Sequence, residues 1–239
     1  MKINKNREHW NKVGPEYSRS WYGLSKKYMS QKETDFINNY LSTIKVKKAL
    51  DIGIGNGRIL TNYLQNTKKS LIFGIDISEK MVEVCKKKFG KNKSTVKLAV
   101  CDFSRNNLPF TASFDFVTAI RVIKYNKNWP EMISKISHLL NKNGIAVFSM
   151  LNKYSLNIFS FQKIPFYRSS KKELENICKL YNLEILDMQS FTRIPDIFYN
   201  LFNKGFGAKC IIGLEIVFSK IFGKTLLGRM LFLAVRKKT

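Results

Sequence analysis

The chain is short of acids, histidine, cysteine and proline, and each shortage closes off a class of protein. Its two histidines and four cysteines (Cys85, Cys101, Cys178, Cys210) stand far apart, with no CxxC pair. That spacing suits neither a metal site nor a disulfide framework, so no metal is expected and the thiols read as reduced and mostly buried, in a cytoplasmic protein. Five prolines and no Pro/Gly-rich stretch leave no linker, and there is no internal repeat; the 239 residues read as a single domain. The polar start, MKINKNREHWNK, is not expected to act as a secretory signal. Asp and Glu number 17 against 42 Lys and Arg, a net charge of +25. Such a balance attracts nucleic acid or an anionic membrane surface. Yet the lysines spread over the whole chain, and Asn and Ile are also heavily used, as an AT-rich genome would produce.

What is abundant is core. Hydrophobic residues make up 44%, with 18 Phe and 10 Tyr, too much apolar surface for a disordered chain. Residues 1–44 read as a helical, polar-aromatic cap carrying Trp10, Tyr17, Trp21 and Tyr22. From 46 to about 191, apolar runs of strand length alternate with stretches at helical spacing. Strands are expected around 48–55, 69–78, 94–103, 113–120, 145–151 and 183–191, and a last one at 229–237. One helix should follow Asp76, and a second should span WPEMISKISHLL with Pro130 near its start and Gly144 as its C-terminal cap. A third should open at Ser169 or Ser170. The alternation predicts an α/β fold: a doubly wound, mostly parallel, Rossmann-like seven-stranded sheet whose last strand is antiparallel.

The segment ALDIGIGNGRIL, residues 49–60, runs an apolar strand into Gly53, Gly55 and Gly57, after which Leu60, Tyr63 and Leu64 resume helical spacing. Three missing Cβ atoms between a strand and a helix start make a cradle for a nucleotide-like cofactor. The nicotinamide fingerprint does not fit, because its third glycine would fall on Arg58 or Leu60. A P-loop ending in the GKT at 223–225 would need glycine where Phe218 stands. What remains is D-x-G-x-G-x-G from Asp51, with acids closing the next two strands at Asp76 and Asp102. A strand-end acid accepts charge-assisted hydrogen bonds from ribose hydroxyls. A site lined by acids suits a positively charged cofactor without phosphate.

In this order and spacing the motifs resemble the class I S-adenosylmethionine-dependent methyltransferases, the broad small-molecule group, over about 46–191. The resemblance implies S-adenosyl-L-methionine as cofactor. Gly53, Gly55 and Gly57 would let the backbone approach its methionine and ribose parts, and Asp51 would reach its amino group through water. Asp76 would hold the ribose hydroxyls and Ile77 would pack on adenine. Asp102 would accept from the adenine N6 amine, with Phe103 beside the ring, and the backbone at Ala119 would lie along the methionine moiety. The plainer readings are Asp76 as a helix cap, Asp102 as a turn cap and His138 as a surface histidine.

Methyl transfer from an activated sulfonium is chiefly a matter of positioning, which supplies roughly 7–11 kcal/mol. No catalytic acid or base is therefore named. After the fourth strand the chain reads AIRVIKY, without the Asn/Asp-Pro-Pro-aromatic turn of enzymes that methylate exocyclic nitrogens. No cysteine stands there either. Both absences make nucleic acid a less expected substrate than a small-molecule or lipid-linked acceptor. Arg121 and Tyr125 are the candidate acceptor contacts; Arg121 would hold an anionic group, or else serve in an ion pair. Between the last two strands, residues 192–228 form a helical insertion whose apolar runs are broken by Lys209, Glu215, Lys220 and Lys224. It is too charged to span a bilayer and too apolar for an ordinary loop. Two roles are expected for it: a lid over the acceptor pocket, or a peripheral contact with an anionic membrane through 197–229. The oligomeric state stays open.

Overall fold

A computed structural model of the chain describes residues 5–19, 23–67, 69–92, 95–155, 164–222 and 226–238. Trp21, Tyr22, Ser94, Lys224 and the rest of 223–225 lie outside these residues, as does the side chain of Tyr17. The strands are β1 (Lys48–Ile52), β2 (Leu71–Asp76), β3 (Val96–Val100), β4 (Phe114–Ala119), β5 (Leu140–Asn152), β6 (Arg168–Ser169), β7 (Leu183–Phe191) and β8 (Met230–Lys237). The helices are α1 (Lys5–Arg19), α2 (Leu24–Leu41), α3 (Arg58–Asn66), α4 (Glu79–Lys88), α5 (Trp129–Leu139), α6 (Lys171–Leu180), α7 (Asp196–Leu201) and α8 (Gly205–Ile221).

All the strands join one sheet, ordered β3-β2-β1-β4-β5-β8-β7, with β6 beside the end of β5. Neighbours from β3 to β5 run parallel, and β8 lies antiparallel between β5 and β7. The doubly wound sheet with its antiparallel last strand is as expected. Among the described residues the count is eight rather than seven, because β6, at two residues, is too short to show a periodicity. β1 has β2 on one side and β4 on the other, so the winding reverses there. A reversal opens a crevice at the carboxyl ends of the central strands.

Alternation along each strand sends apolar side chains to two cores. Ala49 and Phe116 face one core, with Phe36 and Ile37 of α2, Leu60 and Tyr63 of α3, and Val82 of α4. Leu50 and Val117 face the other, with Ile133 and Ile136 of α5 and Leu174 of α6. Helix starts follow their caps: Ser78 accepts from the Met81 amide, and Ser170 forms a reciprocal capping box with Glu173. Two local expectations fail. Gly144 is not the cap of α5, since Leu140 at the helix end is already extended and pairs with Phe114. The left-handed residue is Asn143, and a Cβ at Gly144 would stand 2.9 Å from the Asn141 carbonyl oxygen and 3.0 Å from that of Phe114. Backbone crowding, not capping, requires that glycine. β3 stops at Val100, so Asp102 sits in the following turn rather than at a strand end.

Candidate active site

β1 ends in a loop where Gly53, Gly55 and Gly57 all have positive φ, at 77°, 50° and 75°. The amides of Gly53 and Ile54 both donate to the Ile75 carbonyl, at 2.7 and 3.1 Å, which ties the loop to β2. A Cβ on Gly55 would meet nothing within 4 Å, so this residue leaves a bare wall beside open space. Gly57 has a different task. It caps α3 in a left-handed conformation, and a Cβ there would lie 2.5 Å from Phe89 Cε2 and 3.0 Å from Cys85 Sγ. It lets α3 approach the α4 end and does not line the cleft.

Around the loop stand the acids. Asp76, at the end of β2, accepts the Gly55 amide on Oδ2 and the Ser78 amide on Oδ1, both at 2.9 Å. Burial raises its pKa, and the backbone N–H groups of Ser78, Gly55 and Ile77 pull it part of the way back. The helix-cap reading is thus replaced by a clamp on the glycine loop, while Ser78 does the capping. Asp51 is 2% exposed and accepts from the Thr118 hydroxyl at 2.7 Å. With that proton committed, the Tyr63 hydroxyl donates to Thr118 at 2.8 Å. Burial lifts the Asp51 carboxyl to about 7 against the pull of Thr118 and Arg58. Asp102 accepts from the Ser104 amide and hydroxyl at 3.1 and 2.6 Å, so it does cap its own turn, and it also faces the cleft.

The N-terminal helices close the other side. α1 is tied to α4 by an Arg7–Glu79 ion pair and by Asn11, which bonds Glu79 at 3.0 Å and Ser78 at 2.7 Å. It brings Asn6 and Trp10, four residues apart on one face, against Tyr125: Asn6 donates to the Tyr125 carbonyl at 3.1 Å, and the two rings meet edge-on at 5.4 Å. α2 contributes Glu33, 2% exposed in a buried stripe with Met29, Phe36 and Ile37. Glu33 pairs with Arg58 at 2.7 Å and with Arg121 through Nε at 2.8 Å. Arg121 itself has a φ of 64°, its amide held by the Ser149 hydroxyl at 2.8 Å. Of the two readings for Arg121, the ion pair is therefore present.

The cleft gathers Asp51, Gly53, Gly55, Asp76, Ile77, Asp102, Phe103, Arg121 and Tyr125, and leaves out Gly57 and Ala119. Ala119 is fully buried within the sheet beside Phe148, and Ile120 and Val122 form the wall instead. The sequence motifs do not single out Asn6, Trp10, Glu33 or Arg58 as site residues. The signal for Glu33 was present: an acid placed in register with an apolar helical stripe must be buried and must find a partner. His138 is exposed on α5, its Nδ1 against the Ser134 carbonyl. Among the described residues no group of three or more His, Cys, Asp and Glu is placed to hold a metal.

Comparison with known proteins bears on the fold that carries this cleft. Residues 49–144 match the family model of the methyltransferase domain. The ubiquinone biosynthesis O-methyltransferase of Pelagibacter ubique (strain HTCC1062) is 34% identical over 110 residues, covering 46% of this chain and 44% of that protein. An uncharacterized protein of Haemophilus influenzae is 34% identical over 113 residues, with the same shares. The chain thus spans rather less than half the length of these curated relatives. Among solved structures, magnesium protoporphyrin IX methyltransferase from Synechocystis PCC 6803 with bound SAH has a TM-score of 0.66 at 14% identity, over 98% of each chain. The [4+2]-cyclase SpnF reaches 0.70 at 15% identity, over 98% of this chain and 96% of its own. At such identities the likeness speaks for the fold. Residues 49–144 are thus similar to a methyltransferase domain, within a fold shared with S-adenosylmethionine-dependent methyltransferases.

Proposed function

We propose that the chain transfers a methyl group from S-adenosyl-L-methionine to a small-molecule or lipid-linked acceptor. The O-methyltransferases among its relatives favour an oxygen atom as the acceptor. The observation that carries the reading is the clamp of Asp76 on Gly55 beside the bare wall at that glycine. A carboxylate so fixed keeps further lone pairs on both oxygens for two ribose hydroxyls. Ile77 and Phe103 supply apolar surface for adenine, and Asp102 an acceptor for its amine. Asp51, buried and oriented by Thr118, matches the cofactor's cationic amino group. Bound there, the cofactor supplies a methyl group already activated on a positive sulfur.

The remaining work falls to positioning. Gly53 and Gly55 let the loop backbone run beside the methionine moiety, Ile120 replaces Ala119 as the facing peptide, and α1 shields the cleft from water with Trp10. At the acceptor end, two guanidinium groups share the Glu33 carboxylate, which leaves one net positive charge beside Tyr125 to steady an anionic or polarised oxygen. Held in line with the methyl group, an oxygen that arrives already ionised, as a carboxylate or phenolate, needs no side-chain base: its lone pair would form the new bond to carbon as the methyl–sulfur bond breaks and the sulfur leaves as a neutral thioether.

The reading is tested by incubating the protein with methyl-labelled S-adenosylmethionine and cell extract. Label should enter a low-molecular-mass or lipid-extractable fraction. Label confined to RNase-sensitive material would turn the reading to RNA, which the net charge favours. Cofactor binding with no transfer at all would make the fold a host for other chemistry, as the cyclase neighbour shows a shared fold allows.

A further inference from the structure

α7 and α8 are apolar on the side that points away from the protein. In α8, Ala208, Ile211 and Glu215 form the buried stripe that packs the helix on the body of the molecule. One stripe at this spacing is what packing requires. The opposite stripe is apolar too: Phe206, Leu214, Val217 and Ile221 are exposed, Phe206 to 82% and Ile221 to 68%. α7 extends the patch with Ile197 and Leu201, the latter 70% exposed. Residues 197–222 contain four charges, Lys204, Lys209, Glu215 and Lys220. Glu215 turns inward, 3% exposed, where it accepts from the Arg193 amide at 3.0 Å, the Ile194 amide at 3.2 Å and the Tyr199 hydroxyl at 2.6 Å. The charges exposed between residues 197 and 222 are all basic, with Asp196 the acid that opens α7.

We propose that α7 and α8 form an interfacial membrane-contact element, which lays this outer stripe into the headgroup–acyl boundary of a bilayer rich in anionic phospholipid. Exposed apolar side chains would enter the boundary, and Lys204, Lys209 and Lys220 would meet the phosphates. No described helix is long and apolar enough to cross a membrane, so the pair lies in the plane. A second copy of the chain is the poorer occupant, because it would set lysine against lysine between two molecules of charge +25. α2 links the patch to the cleft. At its start the Leu24 amide and Ser25 hydroxyl bond the Asn203 and Tyr199 carbonyls at 2.9 and 3.0 Å, and further along Glu33 holds Arg121.

Co-sedimentation of the whole chain with phosphatidylglycerol/phosphatidylcholine vesicles tests it, against phosphatidylcholine alone. The protein should bind the anionic vesicles at low salt and be released by added salt. Lys209→Glu with Lys220→Glu should weaken binding by roughly tenfold or more. Phe206→Ser with Ile221→Ser should do the same, and both pairs should keep native circular dichroism and cofactor affinity. Absence of binding to anionic vesicles at low salt would overturn the proposal, as would binding that neither pair of substitutions weakens. So would a dimer seen by light scattering without lipid and dissolved by Phe206→Ser with Ile221→Ser.

Discussion

Burial of the Asp51 carboxyl, lifted to about 7 from an ordinary 3.8, makes this residue a proton-linked switch within the cleft. Between those values the folded chain binds a proton that the unfolded chain has lost. Its contribution to the stability of the empty protein is therefore complete below pH 3.8 and gone once the pH rises through about 7. A cationic cofactor group reverses the preference by favouring the ionised form. Cofactor affinity should fall as the pH drops below 7, by at most about tenfold per pH unit, with proton release that calorimetry in two buffers of different ionisation enthalpy will register. Asp51→Asn should flatten that profile and raise the melting temperature of the empty protein at pH 8. The glycines make a second residue-scale contrast. Gly55→Val places methyl groups in open cleft at a left-handed backbone position, so it should abolish measurable cofactor binding in a chain that still folds. Gly57→Val drives its side chain into Phe89 and Cys85, so it should appear first as lost stability in urea titration. The sequence showed both as glycines of one motif. Only the packing of α3 on α4 separates their roles.

Among the elements, α2 is the strut that reading from the sequence underrated. Its Glu33 joins α3, through Arg58, to the segment after β4, through Arg121. Glu33→Gln would leave two guanidinium groups sharing one neutral amide. Removing one partner of a buried pair costs about 3–5 kcal/mol, and the solvent still reaching both arginines argues for the lower end. Urea unfolding should show that loss, and the acceptor's KM should rise more than the cofactor's affinity falls, because Arg121 loses its anchor. Most helices and strands were legible because period and caps agree, as in α6 with Ser170 and Glu173. Gly144 is ambiguous in the sequence because a glycine after a helix is equally apt for a cap or for close backbone approach. The difference lies in β4, which is distant in the chain and invisible to local pattern.

At the scale of the molecule, the crevice was legible because strand–helix alternation limits the topologies, and an acid ending β2 must lie near a loop ending β1. The placement of β8 was not, since alternation assigns a strand its faces but not its neighbours. That placement governs how the chain can fold. β8 is a central strand, buried from Met230 to Val235 and bonded on both sides, yet it follows the other described strands of its sheet in sequence. During synthesis, β5 and β7 must wait with open edges until residues 230–237 leave the ribosome, and open edges invite pairing with other chains. Closing the β5–β8 contact also spans a long stretch of chain, which slows it. Pulse-labelled hydrogen exchange during refolding should find β1, β2 and β4 protected early and β7 and β8 last. A chain stopped after residue 228 should aggregate rather than accumulate as a smaller version of the fold.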